Sequence, residues 1–247
     1  MNKPEHTSTG DQATSRDIAG GVKYDAAHAN GYDLKIRALI PGYALLHELS
    51  AYLLAEQIGE TATVLVGGCG TGEELSRYAA LGPGWQLTGI DPSADMLALA
   101  EQRMVAEGIA NRVRLCCGKL GEVVLAGSFA AATSLLVMHF LPDDGAKLNY
   151  LRALATVLPT GAPLLLADLT GERGSEDFDR LFRTWRRQQD ATRHNPDNVA
   201  LDFAHLARNV HPVSAERCAA LLDAAGFKVE QEYWRALGLS AVLARRV

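Results

Sequence analysis

Gly67-Gly68-Cys69-Gly70-Thr71-Gly72 places four glycines in six residues, and no other stretch restricts what this chain can fold into as tightly. Bare backbone of this kind adopts positive φ freely and leaves no side chains to hold a ligand away from it. The apolar, β-branched run Thr63 to Val66 reads as a buried parallel strand, and the text from Glu73 takes helical spacing. A strand turning through glycines into a helix is the layout of a nucleotide loop; its bland counterpart is a tight turn with no ligand. Charge narrows the ligand. A dinucleotide fingerprint, G-x-G-x-x-G, seats pyrophosphate on the helix N-terminus. This loop reads G-x-G-x-G through Gly68, Gly70 and Gly72, and Glu73 and Glu74 at the helix start suit the helix dipole but repel phosphate. A nucleoside without phosphates fits better.

A second strand-like segment, Trp85 to Ile90, ends at Asp91. A carboxylate at a strand's C-terminal edge accepts two hydrogen bonds from a vicinal diol. Loop and acid together resemble the first two motifs of the class I S-adenosylmethionine-dependent methyltransferases, whose loop typically reads V-L-D-x-G-C-G-T-G and whose acid holds the ribose hydroxyls. The resemblance covers roughly Tyr24 to Val247. It implies an α/β fold, a Rossmann-like seven-stranded sheet, with N-terminal cover helices over residues 23–58 and a helical insertion after the fifth strand over residues 172–210. It also implies S-adenosyl-L-methionine as cofactor, held by Gly68, Cys69, Gly70, Asp91, Pro92 and Met96, with Ser134 and Leu135 at the end of the fourth strand. Two positions depart from the family. Val66 stands where an Asp or Glu helps to hold the methionine end. Lys119 stands where an acid accepts from the adenine amino group; Lys has no acceptor, which leaves the backbone of Lys119 and Leu120 for the base.

At 247 residues, 48% of them apolar and with a net charge of −5, the chain suits a soluble enzyme better than a protein that coats nucleic acid. Cys69, Cys116, Cys117 and Cys218 show no metal-ligand spacing, so reduced thiols in a cytoplasmic compartment and no metal are expected. No run is long and apolar enough for a membrane span or a signal core. Residues 1–22 are polar and read as a flexible tail, ahead of one domain over 23–247. Leu45, Leu46, Leu49, Leu53 and Leu54 recur at helical spacing after the Pro41-Gly42 break. Arg37 with Pro41-Gly42-Tyr43 resembles the R-x-x-P-G-Y segment of the carboxy-S-adenosylmethionine synthase branch, where the Tyr touches the cofactor. That makes Tyr43 a cofactor contact and Arg37 a substrate contact. A helix-start Tyr and a solvated Arg are the plain alternatives.

The fourth strand and its exit loop lie within Ser128 to Leu141. Ligands sit outside the carboxyl ends of strands at a topological switch point, so His139 is placed to orient a substrate or take its proton, or merely caps a helix. A helix over Ala146 to Val157 and a fifth strand over Ala162 to Leu169 follow. In the insertion, Phe178, Leu181, Phe182 and Trp185 form an apolar stripe beside Arg180, Arg183, Arg186 and Arg187, and Trp185 is a candidate substrate contact in an active-site cover. A basic helix beside aromatics also suits a non-catalytic, tRNA-associated module. A solvated helix face explains the same letters more simply, so a small molecule rather than nucleic acid is the expected partner; a homodimer is left open. A helix over Arg217 to Ala225 and strands over Lys228 to Tyr233 and Leu239 to Arg245 complete the chain.

The leading expectation is methyl transfer to a small molecule. The two departures motivate another reaction of the same cofactor: carboxy-S-adenosylmethionine synthesis, or cyclisation of its own tail to an azetidine with release of methylthioadenosine. In that case Tyr24, Tyr32 or Tyr43 shields the sulfonium through cation–π contact, with Tyr24 a catalytic candidate.

Overall fold

The computed structural model describes residues 26–193 and 195–247, with residues 26–32 as backbone only. The tail expected over 1–22 and the candidate Tyr24 lie outside the described residues, and so does the side chain of Tyr32. Among the described residues, seven strands form one sheet in the order β3-β2-β1-β4-β5-β7-β6. These are β1 (Thr63–Gly67), β2 (Gln86–Asp91), β3 (Val113–Cys117), β4 (Ala131–Leu135), β5 (Pro163–Leu169), β6 (Phe227–Ala236) and β7 (Leu239–Arg246). The first five run parallel, and β7 pairs antiparallel with both β5 and β6. The chain winds outward from β1 through β2 to β3, then returns to place β4 on the other side of β1. The crevice at the carboxyl ends of β1 and β4 is therefore the switch point, where an open α/β sheet binds ligands.

Alternation along β1 divides the interior. Val64 and Val66 face a core shared with Leu46, Leu54, Leu75 and Tyr78, whereas Leu65 faces a second core with Leu151, Leu154, Leu221 and Leu222. The first core lies under α1 (Ala26–Leu39), α2 (Tyr43–Gln57), α3 (Glu73–Leu81) and α4 (Ala94–Ala106); the second lies under α5 (Ala146–Thr156) and, past the insertion, α8 (Ala215–Ala224). The insertion is two helices, α6 (Glu176–Thr192) and α7 (Pro196–Asn209). Side chains set their starts: Ser175 accepts from the Phe178 N–H, and Asn195 accepts from Asp197 and Asn198 ahead of a Pro in the first turn.

Several boundaries move by a residue or more, two of them with a plain physical reason. Trp85 is not a strand residue: its ring is buried and its indole N–H donates to the Gly59 carbonyl (2.9 Å), so β2 starts at Gln86. β6 runs on to Ala236, because register shifts after Val229 and after Glu232 break the strict alternation by which a strand is recognised in sequence. Among the described residues no single helix is long and apolar enough to cross a membrane; one pair, Asp33–Leu39 with Tyr43–Gln57, passes on composition but is bent by 96°.

The buried face of α2 carries His47, both of whose ring nitrogens lack a partner among the described residues. Burial is the main cause that lowers its pKa from 6.5 to about 4, so the ring is neutral at pH 7. The unfolded chain binds the extra proton between those two values. Stability therefore rises with pH through this window and is lost as pH falls, by up to about 3 kcal/mol for this one group. Urea midpoints measured from pH 7 to pH 4 are expected to fall more steeply for the natural chain than for His47→Leu. Parallel slopes in the two proteins would contradict the assignment.

Candidate active site

The glycine loop is pinned at its base and open at its tip. The Gly68 and Cys69 N–H groups both donate to the Ile90 carbonyl (2.8 and 2.9 Å), which draws the loop over β2. The Gly70 N–H donates to Asp91 Oδ2 and the Ser93 N–H to Oδ1, each at 2.9 Å. Asp91 thus braces the loop, and each oxygen keeps a lone pair for a further donor. Burial raises its pKa while the two backbone hydrogen bonds oppose the rise. Gly68, at φ +74°, is packed so closely that an added Cβ would lie 2.4 Å from a Val137 methyl; at Gly70, φ +52°, nothing lies within 4 Å of that position. The loop therefore leaves a cradle above Gly70, with a carboxylate beside it, of a kind that fits a ribose diol.

Around this cradle the expected contacts divide. Cys69 is buried, and burial first, then the nearby Asp91 and Glu74 carboxyls, push its thiol pKa well up, so it is a neutral packing group. Pro92 is exposed at the turn into α4, and Met96 is buried with its N–H capped by the Ser93 hydroxyl (3.2 Å). The Lys119 side chain is exposed, its carbonyl accepts from the Glu122 and Val123 N–H groups, and Leu120 packs against the second core. Ser134 and Leu135 do not present side chains to a ligand. Ser134 is buried with its hydroxyl bonded to the Tyr150 hydroxyl (2.8 Å), and Leu135 lies in the first core, so only their backbone can contribute.

At the exit of β4 the chain turns sharply through Leu136, whose φ of 62° is unusual for a residue with a Cβ. Such strain persists only where neighbours fix it, and the Leu136 N–H is held by the Ala167 carbonyl at 2.7 Å. The turn lays Val137 against Gly68 and carries His139 to the end of β5. There the Asp168 carboxylate accepts from the His139 backbone N–H (3.0 Å), bonds to the ring Nδ1 and accepts from the Leu169 N–H (3.1 Å). Lys147, also buried, supports the turn from below by donating to the Met138 carbonyl (2.7 Å), and the His139 carbonyl accepts from His211 just beyond α7 (2.6 Å). The ring is thus oriented through Nδ1, and Nε2 makes no hydrogen bond with any described residue.

The N-terminal helices strap over the loop. Asp33 of α1 bonds to the Thr71 hydroxyl and to Arg103 of α4, and Arg37 donates to Glu73 Oε2 (2.5 Å). Glu73 also takes Arg77 (2.8 Å) and Arg103 (3.4 Å). Arg37 is therefore neither a plain solvated charge nor a group held free for a substrate; it closes α1 onto α3 and lies 5.7 Å from the centre of the Tyr43 ring. Tyr43 is buried at the start of α2 with its ring against His47. The argument that two charges at the start of α3 would repel phosphate does not survive, because Glu73 is paired and Glu74 is buried with its pKa raised by that burial to about 8. Trp185 is corrected as well. It is 2% exposed, packs against Phe182 and Phe203, and spends its indole N–H on the Leu39 carbonyl (2.8 Å), so it fastens the insertion to α1 rather than facing a substrate.

Asp168 and Asp33 are residues that sequence reasoning missed, and Glu74, read there as a helix-start charge, is buried and bonded to Thr133. Asp168 left a signal, being the one ionisable group in the apolar run Ala162 to Leu169. Asp33 left none, since a charge on a surface helix is ordinary.

Residues 64–161 match the family model described as a methyltransferase domain. An uncharacterized protein of Synechococcus sp. is 37% identical over 132 residues, 50% of this chain and 30% of that protein. The carboxy-S-adenosyl-L-methionine synthase of Methylococcus capsulatus is 25% identical over 220 residues, 84% of this chain and 86% of the synthase. Among solved structures, an O-methyltransferase family 2 protein from Planctomyces limnophilus, in complex with apigenin, superposes with a TM-score of 0.65 at 16% identity, over 91% of this chain and 62% of that one, which is a likeness of fold. The chain spans less than a third of the Synechococcus relative's length.

Proposed function

We propose that this chain, whose residues 64–161 match a methyltransferase domain, is a class I S-adenosylmethionine-dependent methyltransferase acting on a small molecule. The observation that carries the proposal is the meeting of two constructions at one switch point: a glycine cradle braced by Asp91, and an Asp168-oriented His139 two residues after the Val137 that packs on Gly68. When bound, the cofactor supplies a methyl group made electrophilic by the adjacent sulfonium. Asp91 holds the ribose diol, Gly70 lets the nucleoside approach the backbone, and the backbone near Lys119 and Leu120 receives the base. Tyr43, at the hinge between α1 and α2, covers the sulfonium side. His139, with Nδ1 committed to Asp168, offers Nε2 to take a proton from the acceptor's hydroxyl or amine. The remaining catalytic work is alignment and exclusion of water, in which α1 and the insertion act as cover.

A second reading keeps the cofactor and changes the reaction. The near full-length match to the Methylococcus synthase and the retained Arg37–Pro41-Gly42-Tyr43 segment favour it. Product analysis separates the two. Purified protein is incubated with S-adenosylmethionine alone, then with prephenate, then with panels of phenols, hydroxy acids and amines. S-adenosylhomocysteine appearing only with an acceptor is the expected result. A carboxylated sulfonium with prephenate, or methylthioadenosine without any acceptor, would replace methyl transfer by synthase or cyclisation chemistry.

A further inference from the structure

We propose that the Glu74 carboxylate holds the ammonium group of the cofactor's methionine tail, supplying from α3 the acid that β1 lacks at Val66. The inference rests on the reading of the chain as an S-adenosylmethionine enzyme and adds a residue to it. Val66 stands directly opposite Thr133 in the parallel register of β1 and β4, so the two side chains share a face of the sheet. The Thr133 hydroxyl donates to Glu74 Oε1 (2.6 Å), and the Tyr78 hydroxyl donates to the same oxygen (3.2 Å). The first of these bonds ties the carboxyl to β4 at the position paired with Val66, and the residue lies two past Gly72. Its other oxygen, Oε2, makes no hydrogen bond with any described residue, although the side chain is only 4% exposed.

Among the described residues no cation shifts the Glu74 carboxyl. The titratable groups that interact with Glu74 are Glu73 and Tyr78 on its own helix, Cys69 in the loop, Tyr150 on α5 and Tyr233 on β6, all of them acids. With burial raising its pKa to about 8, the carboxyl keeps its proton at pH 7. Oε1 already takes two donors, so that proton sits on Oε2, where it finds no acceptor among the described residues. An arriving ammonium can take the place of that proton: the proton leaves to solvent and the carboxylate pairs with the cation. Binding below about pH 8 then releases a proton, and affinity rises with pH by up to about tenfold per unit.

The test is isothermal titration of the purified chain with S-adenosylhomocysteine, which has the amino-acid tail, and with methylthioadenosine, which lacks it. Each is run at several pH values between 6 and 8.5 and in two buffers of different ionisation enthalpy. Glu74→Gln keeps an oxygen for Thr133 and Tyr78 but cannot carry charge. It is expected to weaken S-adenosylhomocysteine tenfold or more, to abolish proton release, and to leave methylthioadenosine within about twofold. Unchanged S-adenosylhomocysteine affinity, unchanged proton release, or equal loss of both ligands would assign Glu74 to packing and overturn the inference. If the natural chain binds neither nucleoside, the parent reading fails, and this one with it; if it binds both and Glu74→Gln behaves as the natural chain does, only this one fails.

Discussion

Replacing His139 with Ala is expected to lower turnover by about 10²–10⁴-fold, the usual range for a positioned general base, while the affinity for S-adenosylhomocysteine stays unchanged. The separation follows from the geometry. His139 hangs from the strained turn after β4, and its ring is tied to Asp168 on β5, not to the glycine loop or to Asp91. The loss is therefore in the proton-transfer step and not in holding the nucleoside. Asp168→Asn should give a smaller loss of turnover, because an amide oxygen at Oδ1 still accepts the backbone N–H groups and favours the Nδ1–H tautomer that leaves Nε2 basic, but no longer carries the charge that steadies the ring once it is protonated. Nitrogen-15 shifts of the ring report that tautomer directly. Turnover is followed as S-adenosylhomocysteine formation with whichever acceptor class gives product. A loss under threefold in His139→Ala would remove His139 from the chemistry and leave it as a packing residue of the β4 exit.

The second large effect is expected in the loop, where two neighbouring glycines should fail differently. Gly68→Ala puts a methyl 2.4 Å from Val137 at a positive φ, so the loop or the β4 exit must move. Overpacking costs about 1–3 kcal/mol and the left-handed backbone about 1–2 kcal/mol more. Gly70→Ala meets nothing within 4 Å, so it should carry only the backbone cost while placing its methyl in the cradle. Urea unfolding and S-adenosylhomocysteine titration on both variants should therefore show the larger stability loss in Gly68→Ala. Gly70→Ala should lose binding by more than its stability loss explains. Normal binding by Gly70→Ala would show that the nucleoside does not approach that face, and the cofactor assignment to this loop would fall.

The elements that were legible in the sequence are those coded by neighbours along the chain. Periodicity gives α3, α4 and α5; short apolar runs bounded by glycine give β1 and β5; Ser214 and Gly226 bracket α8. The insertion was less legible, because its apolar stripe says that Phe178, Phe182 and Trp185 are buried but not against what. Their partners are Leu39 and Phe203, which local text does not connect to them. The same holds for Arg37 and Ser134. Both look available in the sequence, and both are already engaged, by Glu73 and by Tyr150.

By itself the sequence determined that a bare loop between strand and helix would be followed by an acid at the next strand's end. Glycine's φ range and the strand and helix periods are properties of single residues and short windows. Only the tertiary structure decided which ionisable groups are charged, paired or aimed at a ligand. Glu73 and Glu74 are adjacent and identical in type, yet one is neutralised by three arginines and the other is buried among acids. Asp168 becomes the partner of His139 only when β4 and β5 lie side by side. Charge state and aim are set by desolvation and by neighbours distant along the chain, and those neighbours exist only once the sheet has closed its order.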